Sequence, residues 1–421
     1  MMVSNLIQRI NRCLIPKLTK NYNESNKHLE FDARNKNLAT NFKILVESLH
    51  DLKKTDLQEN PSAVALLLNL FYELRCDGQW NDSSSKNVSE LLDTQFQEIT
   101  SIHLDSIFFK NDVFDSQEIF DKFFEEMHFK LTYEDFKKYP AQIEVYYLLS
   151  QKVKDYYVAV EPSKIFPLSL VLVEDYESFN KKKGLQCCTS LLQALESSAF
   201  QNGNYYEVIY RTIKINLSEK DDDIINLTHS NLLMLLDILP DSGKGKILDE
   251  LYKTCLDLLL IESNLYKKAT MFNLMYTVIQ HHKYNCANKS IFKDIVYQNL
   301  DMCINNTIVE ILLEPLLKCL EIWIIHCWPM WKCGSDHNIL SALLKVLYVC
   351  DNENLDKKIH NIMVTLICLA TKDEQSKIIS RSFRFLSKHF CANLNISLAS
   401  VQLFTIGSSK DLISPLKFSS T

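Results

Sequence analysis

The chain has 421 residues, of which 47% are hydrophobic and 23% charged, a composition typical of folded proteins and outside the disordered range. It contains only 7 glycines, whereas average usage would give about 30. This scarcity argues against Rossmann folds, P-loops and hairpin-rich β proteins, since these need glycine at tight turns. The formal net charge is -6, the basic residues are dispersed, and no run of 18 apolar residues occurs, so we expect neither a nucleic-acid nor a membrane partner.

The opening segment, residues 1–20, contains four basic residues and no acidic one. Leu6, Ile10 and Leu14 recur at helical spacing, which predicts a short first helix. An organelle transit peptide has a similar composition and is the less favoured interpretation. No secretory apolar core is present, so we expect a cytoplasmic location, with the nucleus as a second expected location.

Thirteen cysteines occur in the chain, and most lie within apolar helical patterns. An odd number without a secretory segment does not suggest a disulfide framework. Because buried reduced cysteine behaves as a small hydrophobic residue, we interpret these residues as core thiols. The clearest examples are Cys187, Cys188, Cys255, Cys319, Cys350 and Cys368.

Residues 1–160 are predicted to form an irregular N-terminal helical region. Apolar periodicity indicates the helices, and Pro61 stands at the expected first position of one of them. A polar cluster at 76–87 interrupts the pattern. The predicted helices span 38–52, 61–74, 88–100, 117–129 and 141–156. No repeating period is evident in this region.

From about Ser163 onward, pairs of apolar helices alternate with short polar turns. The pairs begin near residues 164, 204, 244, 289 and 337, and such spacings are in the range of HEAT and armadillo repeats. One amphipathic pair cannot bury its apolar faces alone, whereas stacked pairs share a continuous core. We therefore predict an all-α, HEAT-like helical-repeat solenoid (an α-α superhelix) over 161–390, followed by a weakly ordered tail at 391–421.

The segment Asp241–Lys246 combines two glycines with two lysines. A Walker phosphate loop requires G-x-x-x-x-G-K-[ST] between a strand and a helix. Here the glycines are two positions apart, and Ile247 stands where the loop needs Ser or Thr. We therefore interpret the segment as a flexible loop between repeats, not as a nucleotide site.

His326, Cys327, Cys333 and His337 form a compact group of metal-ligand residue types. Zinc sites prefer short C-x(2–4)-C knuckles, and the C-x5-C-x3-H spacing found here departs from that pattern. Cys327 also falls on the apolar face of its predicted helix. A packed helix end is therefore favoured over a zinc site.

Other combinations of residues give weaker signals for a site. His281 and His282 are adjacent, so they point in different directions on a helix and combine poorly with Cys286. Metalloprotease, hydrolase, kinase and dinucleotide signatures are missing from the sequence. We therefore predict no enzyme activity, no catalytic residue, no metal and no cofactor.

Three of the four tryptophans lie between residues 323 and 331. Trp323 fits the buried face of a helix, whereas Trp328 and Trp331 flank Pro329, at which the helix must end. Large aromatic residues at helix ends often fill cores, but they are also enriched at binding hot spots. The candidate partner-binding residues are therefore Trp323, His326, Trp328, Pro329 and Trp331, with core packing as the alternative role.

Several short motifs follow one another in a fixed order between residues 160 and 390. They are Ile165–Leu195 with its turn Glu174-Asp175-Tyr176 and helix start Lys183–Cys187, the run Tyr206–Tyr210, the helix end Leu235–Pro240, and His326-Cys327-Trp328-Pro329. In order and spacing these motifs resemble the smaller Tti subunit of the TTT (Tel–Tti–Tti) co-chaperone complex, a HEAT-like α-solenoid family. Within the last motif, His326, Trp328 and Pro329 match the His-x-Trp-Pro helix end of that family.

The resemblance implies a non-catalytic scaffold that has no cofactor and binds a larger Tti-type subunit and a Tel-type subunit. In that family the complex acts with the Hsp-ninety chaperone and its adaptors. It promotes maturation and stability of phosphatidylinositol-kinase-related kinases such as mTOR, ATM and ATR. The resemblance thus implies roles in mTOR signalling and in the DNA damage response.

Two other functions stay open on the sequence alone. One is a HEAT-repeat adaptor of another class, such as a nuclear transport receptor or a phosphatase scaffold, and binding to a Ran-type GTPase or a phosphatase catalytic subunit would favour it. The other is a helical enzyme whose site includes His326, Cys333 and His337, and stoichiometric zinc would favour that function.

Overall fold

The computed structural model describes residues 2–382 except 201, 202 and 204, and every regular element in those residues is helical. The all-α prediction is therefore confirmed. The tail predicted at 391–421 lies outside the described residues. Two compact units divide the chain, one up to Pro240 and one from Asp241. The predicted regional boundary at 160/161 lies inside the first unit and remains a prediction.

The first unit contains eleven α-helices among its described residues, and short 3-10 turns join several of them. The helices are α1 (Met2–Cys13), α2 (Leu29–His50), α3 (Lys54–Gln58), α4 (Pro61–Arg75), α5 (Ser85–Thr100), α6 (Ser116–Lys130), α7 (Pro140–Lys152), α8 (Pro162–Val173), α9 (Ser178–Ala194), α10 (Tyr205–Lys214) and α11 (Asp222–Ile238). Pro61, Pro140 and Pro162 each stand at the start of a helix, where the missing N–H removes no intrahelical bond.

The second unit contains the remaining helices of the described residues. They are α12 (Asp241–Ile261), α13 (Leu265–His282), α14 (Ile291–Met302), α15 (Asn306–Ile308), α16 (Glu314–Cys327), α17 (Cys333–Val349), α18 (Glu353–Cys368) and α19 (Lys372–Ser382). A π-helical segment, Val309–Leu313, joins α15 to α16. Pro315 follows this segment, and because its ring nitrogen cannot donate, a regular i to i−4 ladder cannot continue through it.

The helices of each unit stack as successive pairs. In the second unit α12 pairs with α13, α14 with α16 and α17 with α18; α12, α14 and α17 contact in sequence, as do α13, α16 and α18. In the first unit α8 and α9 pair, and they contact α10 and α11 respectively. On their other side, α6 contacts α8 and α7 contacts α9. This pairwise layering confirms the predicted HEAT-like repeats, in which each pair buries the faces that its neighbour leaves open.

The pair starts agree with the predicted ones to within four residues. The first helices of the five pairs begin at residues 162, 205, 241, 291 and 333. The prediction that 241–246 is a flexible loop is wrong, because Asp241–Lys246 forms the first turns of α12. Gly243 is buried there, and the burial of Ile247, Leu248 and Leu251 further along the helix outweighs the low helix propensity of the two glycines.

The prediction that cysteines serve as core thiols is confirmed for the six residues on which it was based. Cys187, Cys188, Cys255, Cys319 and Cys350 are buried, and Cys368 is partly buried. Burial raises the pKa of Cys187 and of Cys255 to about 12. These thiols therefore stay protonated at neutral pH and contribute as small apolar side chains.

His229 of α11 is buried, and its Nε2 has no hydrogen-bond partner among the described residues. Burial lowers the pKa of His229 to about 4. The unfolded chain therefore binds a proton at this residue at a higher pH than the folded chain does, and stability is lost as pH falls from about 6.5 towards 4.

We expect His229→Leu to reduce the pH dependence of stability. Between pH 7.5 and pH 5.5 the free energy of unfolding should fall by about 1 kcal/mol less in this variant than in the parent chain. Urea unfolding at the two pH values measures the difference. The exposed His50, changed to glutamine, provides the control, and an unchanged pH dependence in His229→Leu would contradict the prediction.

Candidate partner-binding surface

Helix α16 positions the predicted tryptophan cluster. Its buried side chains recur at helical spacing and face α13, α14 and α18. They are Leu316, Leu317, Cys319, Leu320, Ile322, Trp323, Ile324 and Cys327. The helix ends at Cys327, and a 3-10 turn, Trp328–Met330, follows it. This ending agrees with the prediction from Pro329.

Trp323 belongs to the core of the second unit. It is 2% exposed and stacks on Phe292 of α14, with 5.4 Å between ring centroids. Its indole N–H has no hydrogen-bond partner among the described residues. A partner cannot reach this side chain in the structure, so its role is to pack α16 against α14.

Trp331 is also buried, at 7% exposure. Its indole N–H donates to the carbonyl oxygen of Leu366 in α18 at 3.1 Å. The side chain therefore attaches the end of the 3-10 turn to α18. Of the three predicted tryptophans, two are thus placed in the interior of the second unit.

Trp328 is 54% exposed, and three other apolar side chains beside it in the sequence are exposed too. We call this set the Trp328 surface; it consists of Ile325, Trp328, Pro329 and Met330. The buried face of α16 excludes Ile325, which therefore presents a β-branched apolar side chain to solvent. Exposed apolar residues that adjoin one another in this way are typical of protein-binding surfaces.

The backbone that carries the Trp328 surface is held by bonds on both sides. Trp331 N–H donates to the Trp328 carbonyl oxygen at 2.9 Å. Lys293 Nζ of α14 donates to the Met330 carbonyl oxygen at 3.3 Å and lies 2.8 Å from a carboxylate oxygen of Asp336 in α17. Because three helices hold this turn, binding there costs little ordering of the backbone.

His326 is partly buried beside the Trp328 surface. Burial, and to a lesser extent the charge of Lys283, lowers its pKa, so the imidazole is neutral at pH 7. Cys327 Sγ donates to the Lys283 carbonyl oxygen at 3.5 Å. Among the side chains that the structure describes, no group of three or more His, Cys, Asp or Glu could hold a metal ion; those of Cys333 and His337 are outside this set.

Ile325 and Met330 were not predicted as companions of Trp328. A usable signal was present for Ile325, because it lies off the stripe formed by Leu320, Trp323 and Cys327. No comparable pattern distinguishes Met330.

Within the described part of the chain, none of the helices has the length and apolar character that crossing a membrane requires.

No protein-family model matches the chain. Over 110 residues it is 29% identical to TELO2-interacting protein 2 of Rattus norvegicus, and the same figures hold for the protein of that name from Mus musculus. The matched stretch covers 26% of this chain, and the chain spans 21% of the length of these curated relatives. This similarity confirms the predicted resemblance to the smaller Tti subunit.

Three solved structures illustrate the structural similarities. Importin beta gives a TM-score of 0.47 at 11% identity, covering 83% of this chain and 43% of its own. For Kap95p bound to RanGDP the TM-score is 0.49 at 11% identity, and the alignment covers 95% of this chain and 48% of the Kap95p chain. For Kap121p bound to Nup53p the TM-score is 0.44 at 12% identity, and the alignment covers 96% of this chain and 38% of the Kap121p chain.

Proposed function

We propose that this chain is a non-catalytic scaffold subunit that occupies the place of the smaller Tti subunit in a TTT-type complex. The 29% identity to TELO2-interacting protein 2 over 110 residues carries the proposal. The name of that relative describes an interaction with TELO2. For this chain we propose the corresponding partners, a larger Tti-type subunit and a Tel-type subunit.

The finer role follows from the same resemblance. In this proposal the assembled complex acts with the Hsp-ninety chaperone system on phosphatidylinositol-kinase-related kinases of the mTOR, ATM and ATR class. Kinases and chaperone adaptors are then indirect partners, reached through the other two subunits. The proposed locations are the cytoplasm and the nucleus.

The Trp328 surface supports a binding role for the second unit. Tryptophan is enriched at binding hot spots, where a few well-placed side chains supply most of the affinity. Trp328 presents about half of its surface to solvent from a turn that α14 and α17 hold in place. We therefore assign it as the anchor for the larger Tti-type subunit.

Reconstitution tests the proposed function directly. The full chain, purified with the larger Tti-type and Tel-type subunits of the same organism, should elute as one complex whose mass, measured by light scattering, is that of all three. Recovery of this complex would support the proposal. Separate elution of this chain at micromolar concentrations would overturn it.

Trp328→Ala is expected to weaken binding to the larger Tti-type subunit by about 30-fold or more, as loss of a hot-spot tryptophan does. Because about half of the Trp328 side chain is exposed, the melting temperature should fall by less than about 5 °C. Calorimetric titration and thermal melting followed by circular dichroism measure the two effects.

Tyr348→Ala provides the matched control, since Tyr348 is a 94% exposed aromatic residue on α17 of the same unit. It should leave affinity unchanged. Undiminished binding by Trp328→Ala, or an equal loss in both variants, would contradict the assignment of Trp328 as the anchor. A large drop in melting temperature in Trp328→Ala would instead identify this side chain as structural.

A further inference from the structure

A cavity of about 730 Å³ opens in the first unit, and none of its lining residues belongs to the predicted partner-binding set. Its walls come from the segment after α1, the segment after α4, and the starts of α7 and α9. The lining residues are Tyr22, Asn23, Glu24, Ser25, Asp77, Gly78, Gln79, Trp80, Lys137, Pro140, Ile143, Glu144, Glu177, Ser178, Phe179 and Asn180. We call it the Trp80 cavity; its volume is in the usual range of ligand sites.

The charges that line the Trp80 cavity are mainly negative. The lining holds four carboxylates and one ammonium group, and a second ammonium, that of Lys183, pairs with Glu144; the lining groups are Glu24, Asp77, Glu144, Glu177 and Lys137. Lys137 is itself paired, at 2.7 Å with Asp175 and at 3.2 Å with Glu177.

The two carboxylates at the rim are the ones open to a guest. Glu24 is exposed and has no ion pair among the described residues. Asp77 is 93% exposed, and its one ion pair among the described residues is with the exposed Lys86, at 3.1 Å. Such a surface pair contributes little and is easily exchanged for another cation.

Two aromatic rings at and just before the start of α9 already bind ammonium groups of the chain itself. Lys183 Nζ lies 4.0 Å from the centroid of the Phe179 ring and pairs with Glu144. Lys137 Nζ lies 3.6 Å from the centroid of the Tyr176 ring. The surface thus recognises cations by combining a carboxylate with an aromatic face, an arrangement that attracts lysine and, more strongly, the planar guanidinium of arginine.

Trp80 forms the apolar wall of the cavity. It lies against Gly78, where an added Cβ would come within 2.4 Å of the indole ring, and it contacts the edge of the Tyr22 ring. Its indole N–H is buried and no described residue accepts its hydrogen bond. A guest that brings a cationic side chain would complement the carboxylates of the cavity.

We propose that the Trp80 cavity binds a basic peptide segment of a partner protein through its arginine or lysine side chains. Charge complementarity selects this occupant, because nucleic acid and anionic lipid would be repelled by the same carboxylates. The proposal concerns the first unit alone and does not depend on the TTT assignment.

Fluorescence anisotropy tests this proposal on the full chain. The probe is a short fluorescein-labelled peptide of alternating arginine and alanine, and the reference is the same peptide with glutamate in place of arginine. We expect the arginine peptide to bind and the glutamate peptide not to bind. Failure of the arginine peptide to bind, or equal binding of both, would overturn the proposal.

The variant carrying Glu24→Gln and Asp77→Asn should weaken binding of the arginine peptide by about three- to tenfold, since each exposed charge pair contributes modestly. Phe179→Ala should weaken it further. The control carries Glu90→Gln and Asp112→Asn, which remove the same charge at exposed residues outside the cavity. Equal affinities of the two charge variants would show general attraction to an acidic protein and overturn the proposed site.

Discussion

Glu73→Ala is expected to lower the free energy of unfolding of the first unit by about 3–5 kcal/mol, because it leaves a buried guanidinium without its counter-charge. Glu73 of α4 is fully buried, and its Oε1 lies 3.6 Å from Arg34 Nη2 of α2, whose side chain is buried as well. Water cannot replace the lost carboxylate at this depth. Urea unfolding followed by circular dichroism measures the effect.

The Glu73 carboxylate also joins separate parts of the first unit. It accepts the Ile15 N–H at 2.8 Å, from the segment after α1, and the Gln142 side-chain amide of α7, also at 2.8 Å. Arg34 Nε donates to the Cys13 carbonyl oxygen at 3.0 Å. Removing Glu73 therefore leaves several buried donors unpaired, each of which costs about 1–3 kcal/mol if nothing relaxes.

Two further variants show how much of the effect comes from losing the partner of a buried charge and how much from truncating a glutamate side chain. Glu98→Ala, at an exposed residue of α5, should change stability by less than about 0.5 kcal/mol. The double variant Arg34→Met with Glu73→Leu should recover the part of the loss that comes from the uncompensated guanidinium, since apolar residues of similar size can replace a buried ion pair. It should not recover the part that comes from the Ile15 N–H and the Gln142 amide, which stay unpaired. If Glu73→Ala and Glu98→Ala unfold at the same urea concentration, the buried pair does not stabilise the unit as we infer.

Gly184→Val is expected to lower the free energy of unfolding by about 3 kcal/mol, because there is no room for a side chain at this residue. An added Cβ would lie 2.6 Å from the Val173 backbone nitrogen and 2.8 Å from the Ser169 carbonyl oxygen. Both atoms belong to the backbone of α8, so the clash is relieved only if α8 and α9 move apart. The same measurement of urea unfolding applies.

Gly245→Ala in α12 provides the matched control with the opposite sign. No atom lies within 4 Å of a Cβ added there, and the residue is helical. Alanine should therefore stabilise the second unit by about 0.5–1 kcal/mol through its higher helix propensity. Equal effects of the two substitutions would show that close approach of α8 and α9 does not require the glycine.

The sequence alone was sufficient to predict the secondary structure and the repeat. The composition is poor in glycine, which argues against most β folds, and apolar residues recur at helical spacing, which predicts helices. Neither property requires knowledge of tertiary contacts. Prolines at 61, 240 and 329 marked helix ends correctly, since the effect of proline on a helix is also local. The motif order from Ile165 to Pro329 likewise predicted the resemblance to the Tti subunit.

Only the tertiary structure decided which side chains are available to a partner. Helical spacing placed Trp323 on a buried face, where it stacks on Phe292. The sequence did not distinguish Trp328 from Trp331, whose indole N–H donates to a carbonyl oxygen of α18. Neither the helical turns at Asp241–Lys246 nor the walls of the Trp80 cavity were predicted from the sequence. Burial and cavity shape arise from residues distant in sequence, and no local pattern in one chain records which distant residues meet.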